Sequence, residues 1–203
     1  RFYENIIGRS EAFISLIFPK IKELFPEQFE NVSAHDFYLA VNKAEPSLIR
    51  TEADELTYSM HIMVRYEIEK RLMDGSLSTK DLPNEWNRLY KEYLGIDVPC
   101  DSMGCLQDSH WSGGALGYFP SYSLGSAYGA QFLHKMKQDI DIDKLVSENR
   151  IDEVTAWLTE KIHKYGMLLT PAQLIENACG EEFNADYYIE YLTEKYKKIY
   201  DLK

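Results

Sequence analysis

The chain has 203 residues, with 22 Lys+Arg against 33 Asp+Glu and a formal charge of −11. With 45% apolar and 27% charged residues it can bury a substantial core, and it has the mix of an ordinary folded protein rather than a disordered one. The net negative charge repels phosphate backbones and anionic lipid, so no nucleic-acid or membrane-surface partner is expected. The most apolar run, Phe13 to Phe18, is far shorter than a membrane span, and Arg1 to Asn5 lack a signal peptide's layout. Three irregularly spaced cysteines, Cys100, Cys105 and Cys179, fit a reducing cytoplasm better than a disulfide framework, and no zinc-finger spacing surrounds them. The sequence opens without Met in what reads as a helix, so part of a longer chain is expected.

Taken in order, Tyr3 to Phe18 has apolar residues at mixed helical spacing, closed by Pro19, and Ile21 to Phe25 adds a short turn before Pro26. Ser33 reads as an N-cap with Asp36 three residues on. Pro46 fits the first turn of a long helix reaching about Met73, ended by Asp74-Gly75-Ser76. Leu82 to Leu94 is a helix with Pro83 early and Gly95 just past its end. Periodicity is lost from Asp97 to Ser112. The stretch Gly113 to Gly129 is rich in Gly, Ser and Tyr, and helix returns from Gln131 to Gln138. Ile151 to Tyr165 and Phe183 to Tyr200 close the chain. No period-2 run of β-branched residues is present, so the fold class is all-α, with residues 1–203 forming a single helical region.

Three features carry possible chemistry. In a helix through 46–73, Arg50 and Asp54 share a face that Tyr58, His61 and Arg65 extend. That face is either a solvated stripe with an ion pair worth about 0.3–0.5 kcal/mol, or a cleft in which Asp54 holds Arg50 to grip a carboxylate. Second, Gln107, Asp108 and His110 offer an amide, a carboxylate and an imidazole within four residues. Asp108 can fix the His110 tautomer or keep it cationic, as a donor to developing negative charge, or both can serve capping and packing. Third, Tyr118 and Tyr122 are four apart and could present two phenols on one helical face. No His-Glu-x-x-His helix, phosphate loop, dinucleotide fingerprint or Gly-x-Ser-x-Gly elbow is present.

Ile49-Arg50-x-x-Ala53-Asp54 and Gly104-x-x-Gln107-Asp108-x-His110-Trp111 together resemble two signature motifs of the carboxypeptidase Taq family of zinc-dependent metallocarboxypeptidases. Gly117-Tyr118-Phe119-Pro120-Ser121-Tyr122-x-Leu124-Gly125 is similar to the family as well. So is the closing His163-x-x-Gly166 with Pro171, Gln173 and Leu174. Family members are more than twice this long, and their zinc helix and third zinc ligand, a glutamate, precede the residues found here.

The resemblance implies the C-terminal part of a groove-shaped helical metallopeptidase. The complete enzyme would use zinc (or cobalt) to polarise the scissile carbonyl and activate water, while this part holds no metal ligand and is inactive alone. Arg50, with Gln107, would lie on the substrate side and meet the free C-terminal carboxylate of a peptide, with Asp54 holding Arg50. His110, oriented by Gln107 and Asp108, would face the oxyanion, joined by Tyr118 or Tyr122. The missing N-terminal part and a second copy in a homodimer are the implied protein partners. A non-catalytic helical interaction module and an endopeptidase of the same architecture are the alternatives.

Overall fold

A computed structural model describes residues 1–203 and contains nine α-helices and no β-strand, so the all-α expectation holds. The helices are α1 (Glu11–Leu24), α2 (Ala34–Val41), α3 (Tyr58–Met73), α4 (Leu82–Leu94), α5 (Pro120–Asp139), α6 (Ile142–Ser147), α7 (Ile151–Lys161), α8 (Pro171–Cys179) and α9 (Asp186–Tyr200). None is long and apolar enough to cross a membrane. The chain divides into two compact units, one of residues 1–42 and 125–203, the other of residues 43–124.

In the first unit, Ser10 caps α1 by accepting the Phe13 N–H, and Ser33 and Asp36 close the anticipated capping box on α2. The helix expected to stop at Pro19 instead runs through it to Leu24. Pro19 and Ser15, the residue whose carbonyl loses its helical donor, are both exposed, so that carbonyl is left to water and the helix tolerates the ring. Helix α1 packs on α2 and α6. The core gathers Phe132, Leu133 and Met136 of α5 with Val154, Trp157 and Leu158 of α7 and Ile175 of α8. Each such side chain contributes roughly 1.5–3 kcal/mol on burial. Helix α5 starts at Pro120, eleven residues before the expected Gln131, because glycines 125 and 129 sit within it at ordinary helical φ. Helix α7 ends at Lys161, with a separate 3₁₀ turn over His163–Tyr165. Helices α6 and α8 were not expected; α8 begins at a Thr170/Gln173 capping box.

The second unit contains α3 and α4. Trp86, Leu89, Tyr90 and Leu94 of α4 pack on Val64 and Ile68 of α3. Gly95 ends α4 at φ +74, the left-handed cap that its position foretold. The long helix expected from Pro46 does not form. Residues 43–57 are irregular apart from a 3₁₀ turn at Arg50–Glu52, and α3 starts at Tyr58. Asp54 is the reason: its carboxylate accepts the Thr57 N–H and Oγ at 2.9 Å each and so caps α3 from outside.

Candidate active site

The expected pairing of Arg50 with Asp54 is absent. With no helix across 50–54, the two side chains do not share a face, and Asp54 spends its oxygens on Thr57 and on the Glu45 N–H at 3.0 Å. Arg50 is instead bound by Asp108: Nη2 donates to Oδ1 at 2.6 Å and Nε to the same oxygen at 3.1 Å. Its Nη1 donates to the Tyr58 hydroxyl at 3.1 Å. Each terminal nitrogen keeps one N–H without a protein partner.

Asp108 also binds a second guanidinium. Arg65 Nε donates to Oδ2 at 2.7 Å, and the Arg65 side chain has 0% exposure. Burial opposes ionisation of Asp108, but its hydrogen bonds and charge interactions with Arg50 and Arg65 outweigh this and hold its pKa below the ordinary carboxylate value. Burial likewise opposes the Arg50 charge, and Asp108 more than restores it, raising the Arg50 pKa. The face of Tyr58, His61 and Arg65 is therefore buried and polar rather than a solvated stripe.

Gln107, expected on the substrate side, has both ends of its amide engaged by protein. Its Oε1 accepts the Arg50 backbone N–H at 2.8 Å and Arg65 Nη2 at 2.9 Å. Its Nε2 lies 3.0 Å from the Leu48 carbonyl and 3.1 Å from those of Met103 and Gly104. Asp108 does not hydrogen-bond His110; the Nδ1 to Oδ1 separation is 3.9 Å, because both carboxylate oxygens already serve arginines.

His110 is positioned by aromatic packing. Its ring lies 4.5 Å from Phe119 and 6.0 Å from Tyr118, centroid to centroid, and its Nε2 is 3.1 Å from the Tyr122 hydroxyl. Its buried Nδ1 has no protein partner. Tyr118 lies before α5 rather than on it, so the two phenols do not share a helical face; their rings meet edge to face at 5.4 Å, with Tyr118 53% exposed. The Arg50 guanidinium stands 5.0 Å from the Tyr122 ring. Arg50, Tyr122 and His110 thus form one contiguous group.

Sequence reasoning missed the roles of Arg65 and Glu69. Glu69 is 5% exposed and accepts the Trp111 indole N–H at 2.8 Å. The signal available was the spacing 61, 65, 69, one residue per turn of a single face. His61, fully buried, meets the Tyr90 hydroxyl at 3.0 Å through Nδ1. No group of three or more His, Cys, Asp or Glu side chains is placed to hold a metal ion.

A buried arginine pair clamped by one aspartate, beside a histidine–tyrosine couple on an all-helical frame, defines the class: a helical protein with a preformed, buried polar cluster. The chain belongs to the carboxypeptidase Taq (M32) metallopeptidase family, whose description matches residues 1–196. It is 48% identical over 200 residues to carboxypeptidase 1 of Bacillus subtilis, covering 98% of this chain and 40% of that protein. It is 42% identical over 197 residues to thermostable carboxypeptidase 1 of Pyrococcus furiosus, covering 97% and 39%. The M32 carboxypeptidase structure from Deinococcus radiodurans superposes with TM-score 0.96 at 37% identity, covering 99% of this chain and 41% of that one. The chain therefore spans about two fifths of the length of these relatives.

Proposed function

We propose that this chain supplies the substrate-binding and oxyanion-facing wall of a metal-dependent carboxypeptidase that hydrolyses the C-terminal peptide bond of peptides. The observation that carries the reading is the adjacency of an arginine and a hydrogen-bonded His–Tyr couple: the Arg50 guanidinium lies 5.0 Å from the Tyr122 ring, and the Tyr122 hydroxyl 3.1 Å from His110 Nε2. The two remaining Arg50 N–H groups suit a carboxylate, and Asp108 and Tyr58 hold the guanidinium in place. His110 and Tyr122, with Tyr118 at the exposed edge, are hydrogen-bond donors for the oxyanion that forms at the scissile carbonyl. Gln107 and Asp108 act as supports rather than substrate ligands, and Asp54 acts as a helix cap.

Zinc or cobalt, in this reading, is held by residues of the full-length protein outside this chain, and the chain alone is inactive. The full-length relatives to which it is similar are named carboxypeptidases, which favours this reading over a non-catalytic module. A cytoplasmic location and a homodimeric full-length protein complete the proposal. Replacing His110 by Ala in the full-length protein is expected to lower kcat about 10²–10³-fold with folding retained, the range of a lost oxyanion donor. Unchanged turnover in that variant would refute the assignment.

A further inference from the structure

The buried polar face of α3 makes three successive contacts with the structure around the 107–111 segment, and none of them reaches the proposed substrate. His61 joins Tyr90, whose hydroxyl donates to the Leu48 carbonyl at 3.1 Å. One turn on, Arg65 spends all three guanidinium nitrogens: Nε on Asp108 at 2.7 Å, Nη2 on Gln107 at 2.9 Å and Nη1 on the His61 carbonyl at 2.7 Å. A further turn on, Glu69 holds Trp111. The two residues that Arg65 grips are the same two that grip Arg50, Gln107 at its backbone N–H and Asp108 at its guanidinium.

We infer that Arg65 is a positioning residue that sets the aim of the Arg50 guanidinium through Gln107 and Asp108, and that Glu69 sets His110 through Trp111. The inference deepens, and rests on, the reading of Arg50 as the grip for the peptide's terminal carboxylate. The plane of the guanidinium is needed as well as its charge. Arg65 lies between aromatic rings, with Cζ 4.6 Å from Trp86 and 5.3 Å from Phe119, and donates in three in-plane directions that an ammonium cannot reproduce. Trp111 meets Phe119 edge to face at 5.9 Å, and Phe119 lies 4.5 Å from the His110 ring, so Glu69 acts on the histidine end of the site.

The test uses the full-length enzyme and a peptide with a free C-terminal carboxylate. Arg65→Lys is expected to raise KM about tenfold to a hundredfold, the effect of a misdirected charge-assisted hydrogen bond, with kcat within about threefold. Glu69→Leu is expected to lower kcat with little change in KM, and Glu69→Gln, which keeps an acceptor for the indole N–H, to restore it. The double variant Arg50→Lys with Arg65→Lys is expected to be no worse in KM than Arg50→Lys alone, because both changes remove one function. KM does not depend on how much of the enzyme is folded, so an Arg65→Lys enzyme with reduced yield and wild-type KM overturns the inference. If that variant gives no folded enzyme, Gln107→Met, which cuts one arm of the relay, is expected to raise KM several-fold, and an unchanged KM there overturns it equally. A raised KM in Arg50→Lys beside a normal KM in Arg65→Lys overturns this inference alone. A normal KM in Arg50→Lys overturns the reading of Arg50 and the inference with it.

Discussion

Asp108 stands 2.6 Å from the guanidinium of Arg50 and 2.6 Å from that of Arg65, with the side chains 11%, 7% and 0% exposed. Two buried cations share one carboxylate, so removing the carboxylate strands both. Asp108→Asn is expected to cost about 3–5 kcal/mol, the range for breaking a buried ion pair, as read from urea or thermal unfolding. Loss near the 0–1 kcal/mol of a surface pair would show the cluster to be solvated. His61 gives this region a dependence on pH. Burial, then the nearby Arg65 charge, depresses its pKa from 6.5 to about 4. The fold favours neutral His61, so between those values the unfolded chain binds more protons. Stability is complete above pH 6.5 and falls as pH drops toward 4, by on the order of 3 kcal/mol. His61→Gln should flatten that part of the stability–pH curve, and an unaltered slope would place the acid sensitivity elsewhere. The motif residues themselves were legible because Gln107, Asp108, His110 and Arg50 belong to recognisable patterns. Their partners were not. Arg65 and Glu69 sit on a helix whose charges look solvated, and only the fold shows that those charges face inward.

Helix α4 was readable to the residue because proline and glycine punctuate it: Pro83 lies in the first turn and Gly95 takes φ +74. No atom crowds a Cβ added at Gly95, so Gly95→Ala tests the backbone conformation alone. A loss of about 1 kcal/mol in unfolding free energy is expected, and none at all would mean that this turn relaxes freely. Helix α3 was misjudged at its start for a reason local to Asp54, a side chain that competes with the helix for backbone donors. Helix α1 runs past Pro19 to Leu24, although in sequence a proline within a helical pattern reads as a terminator. Helices α6 and α8, 6 and 9 residues long, were too short to stand out, although Thr170 and Gln173 form a capping box like that of Ser33 and Asp36. Thr170→Ala should therefore destabilise α8 by about 1 kcal/mol, measured as local hydrogen-exchange protection.

At the scale of the molecule, composition and charge argue against a general nucleic-acid or membrane-surface binder but gave no sign of the division into residues 1–42 with 125–203 and residues 43–124. That division depends on long-range contacts, which local patterns do not encode. All of the proposed site residues, Arg50, Gln107, Asp108, His110, Tyr118 and Tyr122, lie in the second unit. The isolated chain, supplied with zinc or cobalt, is expected to leave peptides intact, and stoichiometric activity-linked metal in it would contradict the proposed division of labour with the rest of the protein. The proposed role of Arg50 is to read the substrate's free end. The measurement is kcat/KM of the full-length enzyme for one peptide with a free and with an amidated C-terminus, in wild type and in Arg50→Gln. Wild type should strongly favour the free acid, and the variant should lose most of that preference by failing on the free acid. An Arg50→Gln enzyme that still prefers the free acid as wild type does would contradict the account.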